Sequence, residues 1–318
     1  MRAFPFLVLF GGWLALPVQA ADAQDWLSRL AKAEEQSFHG TFVYERNGSF
    51  STHAIWHRVE AGGVVRERLL QLDGPAQEVL RVDGRPQCVS GALTDQLSDV
   101  QWPARALVPE QLAKRYELRV LGRSRVAGRA AVVLALKPRD QHRYAVELHL
   151  DEETAVPLRS LLLSEKGQLL ERFQFIELDT RASVADEQLQ PSAACKAVSF
   201  GKADELSAQV WRAAWLPPGF ELQQALRRRS PASAEPVACL MYDDGLARFS
   251  VFLEPLRGAA VEDARSQLGP TAVVSRRMAT ADGDVMVTVV GEIPLGTAER
   301  VALSMQALQP SAAGAVAQ

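Results

Sequence analysis

Between Phe38 and Leu178 the chain is cut about every ten residues by a turn signal built on glycine. Asn47-Gly48 separates Phe38–Arg46 from Ser49–Val59, Asp73-Gly74-Pro75 closes Val64–Leu72, and Asp83-Gly84 closes Gln77–Val82. Asn-Gly and Asp-Gly tolerate positive φ at both central positions, which matches the twist of antiparallel strands. The intervening segments are rich in aromatic and β-branched residues. In Phe38–Arg46, Phe38, Phe42 and Tyr44 share one side. Pro86–Ser90, Tyr116–Gly122, Ala130–Leu136 and Tyr144–Asp151 continue the pattern, and Pro157–Leu163 turns through Glu165-Lys166-Gly167 into Gln168–Leu178. Short strands at this spacing predict an antiparallel meander with helices over its apolar face. Asp22–Glu35 supplies one, with Trp26, Leu27, Leu30 and Ala31 on one side. Gly91–Ala113 reads as irregular with short helices.

The start of the chain sets its destination. Arg2 precedes an apolar run from Phe4 to Leu16, which ends in Val18-Gln19-Ala20. That is the pattern of a cleaved export signal, cut after Ala20. The run is shorter than the roughly 20 residues of a membrane span, and no cysteine follows the cut to carry a lipid.

Thr180–Gln209 is rich in Ala, Ser, Gln and Asp, with little apolar periodicity, and reads as a linker. Beyond it, Glu221–Arg228, Val237–Tyr242, Leu246–Glu254, Ala272–Met278 and Val285–Val290 are expected strands. Thr297–Gln306 is an expected helix with Thr297 as N-cap. The expected organisation is a signal over 1–20, a half-barrel over 21–179, a linker over 180–209, a smaller α+β domain over 210–309 and a tail over 310–318.

Catalytic patterns are missing from the sequence: there is no GxSxG, P-loop, GxGxxG or HExxH. No enzyme activity, metal or cofactor is expected. His53 and His57 lie four apart in a strand, about 13 Å, too far to share one zinc, and read as solvent-facing. Glu152-Glu153 and Asp243-Asp244 read as solvated turns. The net charge of −3 gives no basic footprint for nucleic acid. Arg227-Arg228-Arg229 fits either a solvated sheet edge or an anion or lipid head-group site. Cys88, Cys195 and Cys239 allow at most one internal bridge, and three buried thiols fit equally well. Trp211, Trp215, Leu216, Pro217, Pro218 and Phe220 form an aromatic segment on a rigid bend. It reads as a plug docking the linker or as a ledge for a partner, joined by Tyr242 and Phe249 of the following hairpin.

Trp-Leu-Pro-Pro-Gly-Phe at 215–220, Tyr-Asp-Asp-Gly-Leu at 242–246 with Phe-Ser-Val at 249–251, and Val-Gly-Glu-Ile-Pro at 290–294 before Thr-Ala-Glu-Arg at 297–300 resemble the MucB/RseB family. Leu-Gln-Leu-Asp-Gly-Pro at 70–75, Pro-Arg-Asp at 138–140 with Arg143-Tyr144, and Leu-Leu-Glu-Arg-Phe at 169–173 agree. The resemblance runs in register over essentially the whole exported chain and is nearest the MucB branch, linked to alginate control. It implies a periplasmic negative regulator of an envelope-stress sigma factor. Such a protein binds the periplasmic part of a MucA- or RseA-type anti-sigma factor and blocks its site-1 cleavage. It also implies a larger domain like the lipoprotein carrier LolA, an unclosed β-barrel plugged by helices. Release by lipopolysaccharide or lipid and homo-oligomerisation are implied as well. A periplasmic lipoprotein or lipid carrier is the alternative that the same half-barrel allows; a secreted hydrolase would need a nucleophile and base assembled by the fold.

Overall fold

The structure, a computed structural model, describes residues 18–91, 107–198, 206, 210–233 and 235–308. The expected signal run and tail lie outside the described residues, apart from Val18–Ala20, which open the first helix.

Helix α1 (Val18–Ala33) precedes β1 (Phe38–Arg46), β2 (Ser49–Val59), β3 (Val65–Gln71), β4 (Glu78–Val82) and β5 (Arg85–Val89). A short helix α2 (Pro109–Arg115) then leads into β6 (Tyr116–Val126), β7 (Arg129–Pro138), β8 (Ala145–Asp151), β9 (Pro157–Leu163) and β10 (Leu169–Asp179). With β11 (Lys196–Ala197) these strands form one antiparallel sheet of order β11-β5-β4-β3-β2-β1-β10-β9-β8-β7-β6. The sheet is open, with β11 and β6 at its edges. Asn47-Gly48 and Asp83-Gly84 take positive φ as their turns require (56° and 72°, 48° and 73°). A third turn of this kind, Ala127-Gly128 (50° and 74°), joins β6 to β7 without an Asn or Asp signal.

Helix α1 lies on the sheet through Ala23 and Leu27, both fully buried against Leu134, Leu136, Leu148 and Leu150. Further along, Phe42, Phe173 and Phe175 pack ring on ring, their centroids 4.6–5.9 Å apart.

The segment expected as a linker is bound to this sheet as far as Val198. A 3₁₀ turn at Asp186–Leu189 is held by Arg58, which reaches Asp186 at 2.7 Å. Ser192 donates its backbone N–H to both carboxylate oxygens of buried Glu78 (3.2 Å each), which also pairs with Arg68 at 2.6 Å. Cys195 is disulfide-bonded to Cys88, and β11 then pairs with β5. The segment lacks apolar periodicity because a carboxylate, a disulfide and backbone bonds anchor it.

The second unit is a six-stranded antiparallel sheet. It comprises β13 (Glu221–Arg229), β14 (Pro236–Asp243), β15 (Arg248–Pro255), β16 (Ala264–Leu268), β17 (Thr271–Thr280) and β18 (Gly283–Gly291), in the order β13-β14-β15-β18-β17-β16. Helix α3 (Leu295–Ser304) covers one face, burying Ala298, Val301 and Ala302 against Val251, Val274, Val287 and Val289. β12 (Trp211–Ala213) and β19 (Met305–Ala307) form a separate two-stranded ribbon. Thr297 is not the N-cap of α3. The helix starts at Leu295 after Pro294, whose fixed φ (−56°) enters the helix, and Thr297 is buried inside the first turn.

Candidate functional site

Two features stand where the larger sheet faces the smaller domain: an apolar cavity and a buried polar junction. The cavity, of about 390 Å³, lies between the first sheet, α1 and Leu246, Ala247 and Glu292 of the second domain. Period-2 alternation brings Val146 and Leu148 of β8 and Phe173 of β10 to its wall; Leu30 of α1 and Leu246 of the second domain complete it. Such a volume with mostly apolar walls suits a small apolar ligand or acyl chain.

Its charged lining residues are carboxylates: Glu34, Glu171 and Glu292. Burial holds the Glu171 carboxyl above the usual carboxylate range, although Tyr44 donates to it at 2.7 Å and Arg46 at 3.2 Å. Burial and the Glu171 hydrogen bond push the Tyr44 phenol up to about 12. Arg46 then crosses to the second domain, meeting Glu292 at 3.0 Å and Thr271 Oγ1 at 2.5 Å.

The junction is centred on Arg143, in the short connection between β7 and β8. Its side chain is fully buried. Nε donates to Asp244 Oδ2 at 2.5 Å, Nη1 to Asp140, and Nη2 to the Pro218 carbonyl. Its guanidinium also lies 5.1 Å from the Phe220 ring centroid. Asp244 earns its place locally: its Oδ1 accepts the backbone N–H of Leu246 (3.0 Å) and Ala247 (2.8 Å), closing the β14–β15 turn. Next to Arg143, Tyr144 donates to the Ile293 carbonyl at 2.9 Å, and His142 Nδ1 shares a hydrogen bond with Thr297 Oγ1 at 3.1 Å. The His142 ring meets Trp215 edge-on at 5.0 Å. Burial, with Arg300 and Arg143 adding to it against the pull of Asp140, lowers the His142 pKa.

These contacts correct several sequence expectations. Asp243 and Asp244 are buried, not a solvated turn, because an arginine 101 residues away neutralises Asp244. His57 is buried, not solvent-facing: it stacks on Phe38 at 4.7 Å and bonds to the Glu34 carbonyl at 3.0 Å. His53 is half-buried beside Phe42. Of the aromatic segment, Phe220 is core, packed on Phe249, and Phe249 stacks on buried Tyr242. Pro217 is buried and Pro218 is exposed, whereas Trp211, Trp215 and Leu216 remain half-buried at the surface. The Trp215 ring carries the Arg300 guanidinium 3.9 Å from its centroid. Arg227 and Arg229 are exposed on edge strand β13, while Arg228 alternates to the other face and lines a cavity. Cys239 is the buried free thiol.

Sequence reading passed over Arg143, Asp244 and Arg46 as site residues. Arg143 appeared only inside a family motif. A lone arginine in a loop carries no local signal for a partner in another domain. Among the described residues no group of three His, Cys, Asp or Glu side chains is placed to hold a metal, and no helix is long and apolar enough to cross a membrane.

An open sheet with an apolar concavity, closed from one side by a second domain across a buried ion pair, defines a two-domain binding protein. The chain belongs to the MucB/RseB family: the MucB/RseB N-terminal domain model matches residues 22–193 and the C-terminal domain model residues 205–306. It is 66% identical to the sigma factor AlgU regulatory protein MucB of Pseudomonas aeruginosa, over 96% of this chain and 98% of the relative. It is 28% identical to the sigma-E factor regulatory protein RseB of Escherichia coli K12, over 74% and 75%. A solved Pseudomonas aeruginosa MucA/MucB complex matches with a TM-score of 0.83 at 66% identity, covering 91% of this chain and 100% of that one. A crystal structure of MucB matches at 0.68 and 62% identity, covering 91% and 98%.

Proposed function

We propose that this chain is a periplasmic regulator that binds the periplasmic part of a MucA-type anti-sigma factor and shields it from site-1 proteolysis. The carrying observation is the 66% identity to MucB over nearly the full length of both chains. Bound, it holds the envelope-stress sigma factor inactive; it acts by binding, not by catalysis. Residues 1–20 direct export. The half-barrel over 21–179 is the lipid-sensing domain, with lipopolysaccharide or another acyl lipid entering its concave cavity and weakening the anti-sigma complex. The domain over 210–309 is the anti-sigma-binding unit, with Trp215, Leu216 and Pro218 at its surface as contacts. Self-association belongs to the same proposal.

A ligand releases a partner only through a difference in affinity between two states. The test is a titration of the exported chain against a fluorescent periplasmic MucA-type segment, followed by site-1 protease digestion. Saturable binding that slows cleavage is expected; cleavage at the same rate with and without the chain overturns the reading. The lipoprotein-carrier reading draws on the same cavity, and transfer of a lipoprotein to an acceptor without anti-sigma binding would favour it.

A further inference from the structure

His142, in the short connection between β7 and β8, carries a titratable ring into the seam between the two domains. Its Nδ1 shares a hydrogen bond with Thr297 Oγ1 of the second domain at 3.1 Å, and the ring meets Trp215 edge-on at 5.0 Å. The surroundings suit a neutral ring. Thr297 is buried in the first turn of α3, where unpaired backbone N–H groups form the positive end of the helix dipole. Arg300, further along α3, lies with its guanidinium 3.9 Å from the Trp215 ring centroid. Arg143, the next residue in the chain, is a fully buried cation.

The carboxylates around the ring are engaged elsewhere or exposed. Asp140 accepts the His142 backbone N–H at 2.9 Å through one oxygen and Arg143 Nη1 through the other. Glu165, in the β9–β10 turn, is exposed. Glu299, the other charged residue of α3, pairs with Arg276 and Arg265. On the aromatic segment, Arg212 bonds to Gln306 at 3.1 Å. A proton on His142 therefore sets a third cation between Arg143 and Arg300, at the unfavourable end of a helix. It also fixes Nδ1 as a donor, so the Thr297 hydroxyl must turn its own proton away. Burial lowers the His142 pKa, and Arg300 and Arg143 lower it further against Asp140 and Glu165.

We propose that the His142 contact is an acid-sensitive latch: the neutral ring docks the second domain on the β7–β8 connection, and protonation loosens that docking and frees Trp215 with it. The latch does not depend on the identity of any partner. The docked ring is the poorer proton acceptor, so linkage sets the sign. Docking is full above about pH 6.5 and weakens, by up to about tenfold for each pH unit, as pH falls towards the docked pKa.

The test is hydrogen–deuterium exchange of the full exported chain at about pH 7.5, about 6.5 and about 5.5, read by mass spectrometry and corrected for the intrinsic pH dependence of exchange. In the wild type, protection of residues 139–144 and 292–299, on the two sides of the seam, should fall by up to about tenfold between the two lower values, while β14 and β15 stay protected. His142→Gln keeps a hydrogen-bonding side chain that does not titrate, and its seam should stay equally protected throughout. His142→Lys, a fixed cation, should show the loosened seam already at about pH 7.5. Protection of β14 and β15 in both variants distinguishes a loosened seam from a misfolded chain. Unchanged seam protection in the wild type over this range overturns the latch, and so does an equal loss in His142→Gln.

Discussion

Arg143 and Asp244 lie 101 residues apart in sequence and meet at 2.5 Å with both side chains fully out of solvent. Arg143, which Asp140 of its own domain also holds, neutralises the buried Asp244 carboxylate from across the domain boundary. Breaking a buried pair by removing one partner costs about 3–5 kcal/mol, because the remaining charge stays desolvated. Arg143→Met is therefore expected to lower stability by about 3 kcal/mol in urea unfolding, with the single transition splitting as the domains uncouple. Adding Asp244→Asn should recover part of the loss. An unchanged, single transition for Arg143→Met would show that the pair does not couple the domains.

Trp215 is a half-buried aromatic of the segment at the junction, with His142 in edge contact and the Arg300 guanidinium over its ring. Aromatic anchors in protein interfaces lose ~2 kcal/mol or more on truncation. Trp215→Ala should weaken binding of a periplasmic MucA-type segment by about 30-fold or more, with circular dichroism unchanged. A folded variant of unaltered affinity would remove Trp215 from the interface.

Two histidines should titrate in opposite directions. His57 is opposed by burial, yet hydrogen bonds to Glu67 and the Glu34 carbonyl outweigh it and raise its pKa. His142 is lowered, first by burial. Imidazole resonances followed by NMR should place His57 above about 6.5 and His142 below it. The stability that His57 contributes is full below about pH 6.5 and is lost as pH rises through its folded pKa. That of His142 is present above about 6.5 and is lost as pH falls through its folded pKa, when the Thr297 contact would have to hold a cation beside Arg300. Coincident titration of the two rings would contradict at least one of the two environments.

The Cys88–Cys195 bridge closes a loop of 107 residues and holds the chain against β5 just before it leaves the first domain. Its removal by Cys88→Ser should cost about 3 kcal/mol. Burial pushes the Cys239 thiol up to about 11, so it should resist a thiol reagent in the native protein. One thiol should appear on unfolding the wild type and two in Cys88→Ser. A native chain that reacts at once would contradict the buried assignment of Cys239.

Much of the fold was legible locally. Phe38–Arg46, Ser49–Val59 and Pro157–Leu163 are strands at the bounds their turn signals predicted, since Asn-Gly and Pro act on neighbouring backbone. β16 went unread because all five of its residues are exposed and its pattern carries no apolar alternation. The β12–β19 ribbon went unread because pairing residues 211–213 with 305–307 needs the whole domain to fold first. The candidate site was less legible. The aromatic segment and the three arginines stood out as residues, but not which of them would be core, rim or cavity wall.

By itself, then, the sequence determined the antiparallel meander, its turns, the helix that covers it and the family, all through short-range periodicity and motif order. Tertiary structure decided the rest. It buried Asp244 on Arg143, tied the expected linker to β5 through the Cys88–Cys195 disulfide, and brought Leu246 and Glu292 of the second domain to the wall of the apolar cavity. Charge burial and cavity shape depend on groups that are distant in sequence, and only the packed chain brings them within a few ångströms.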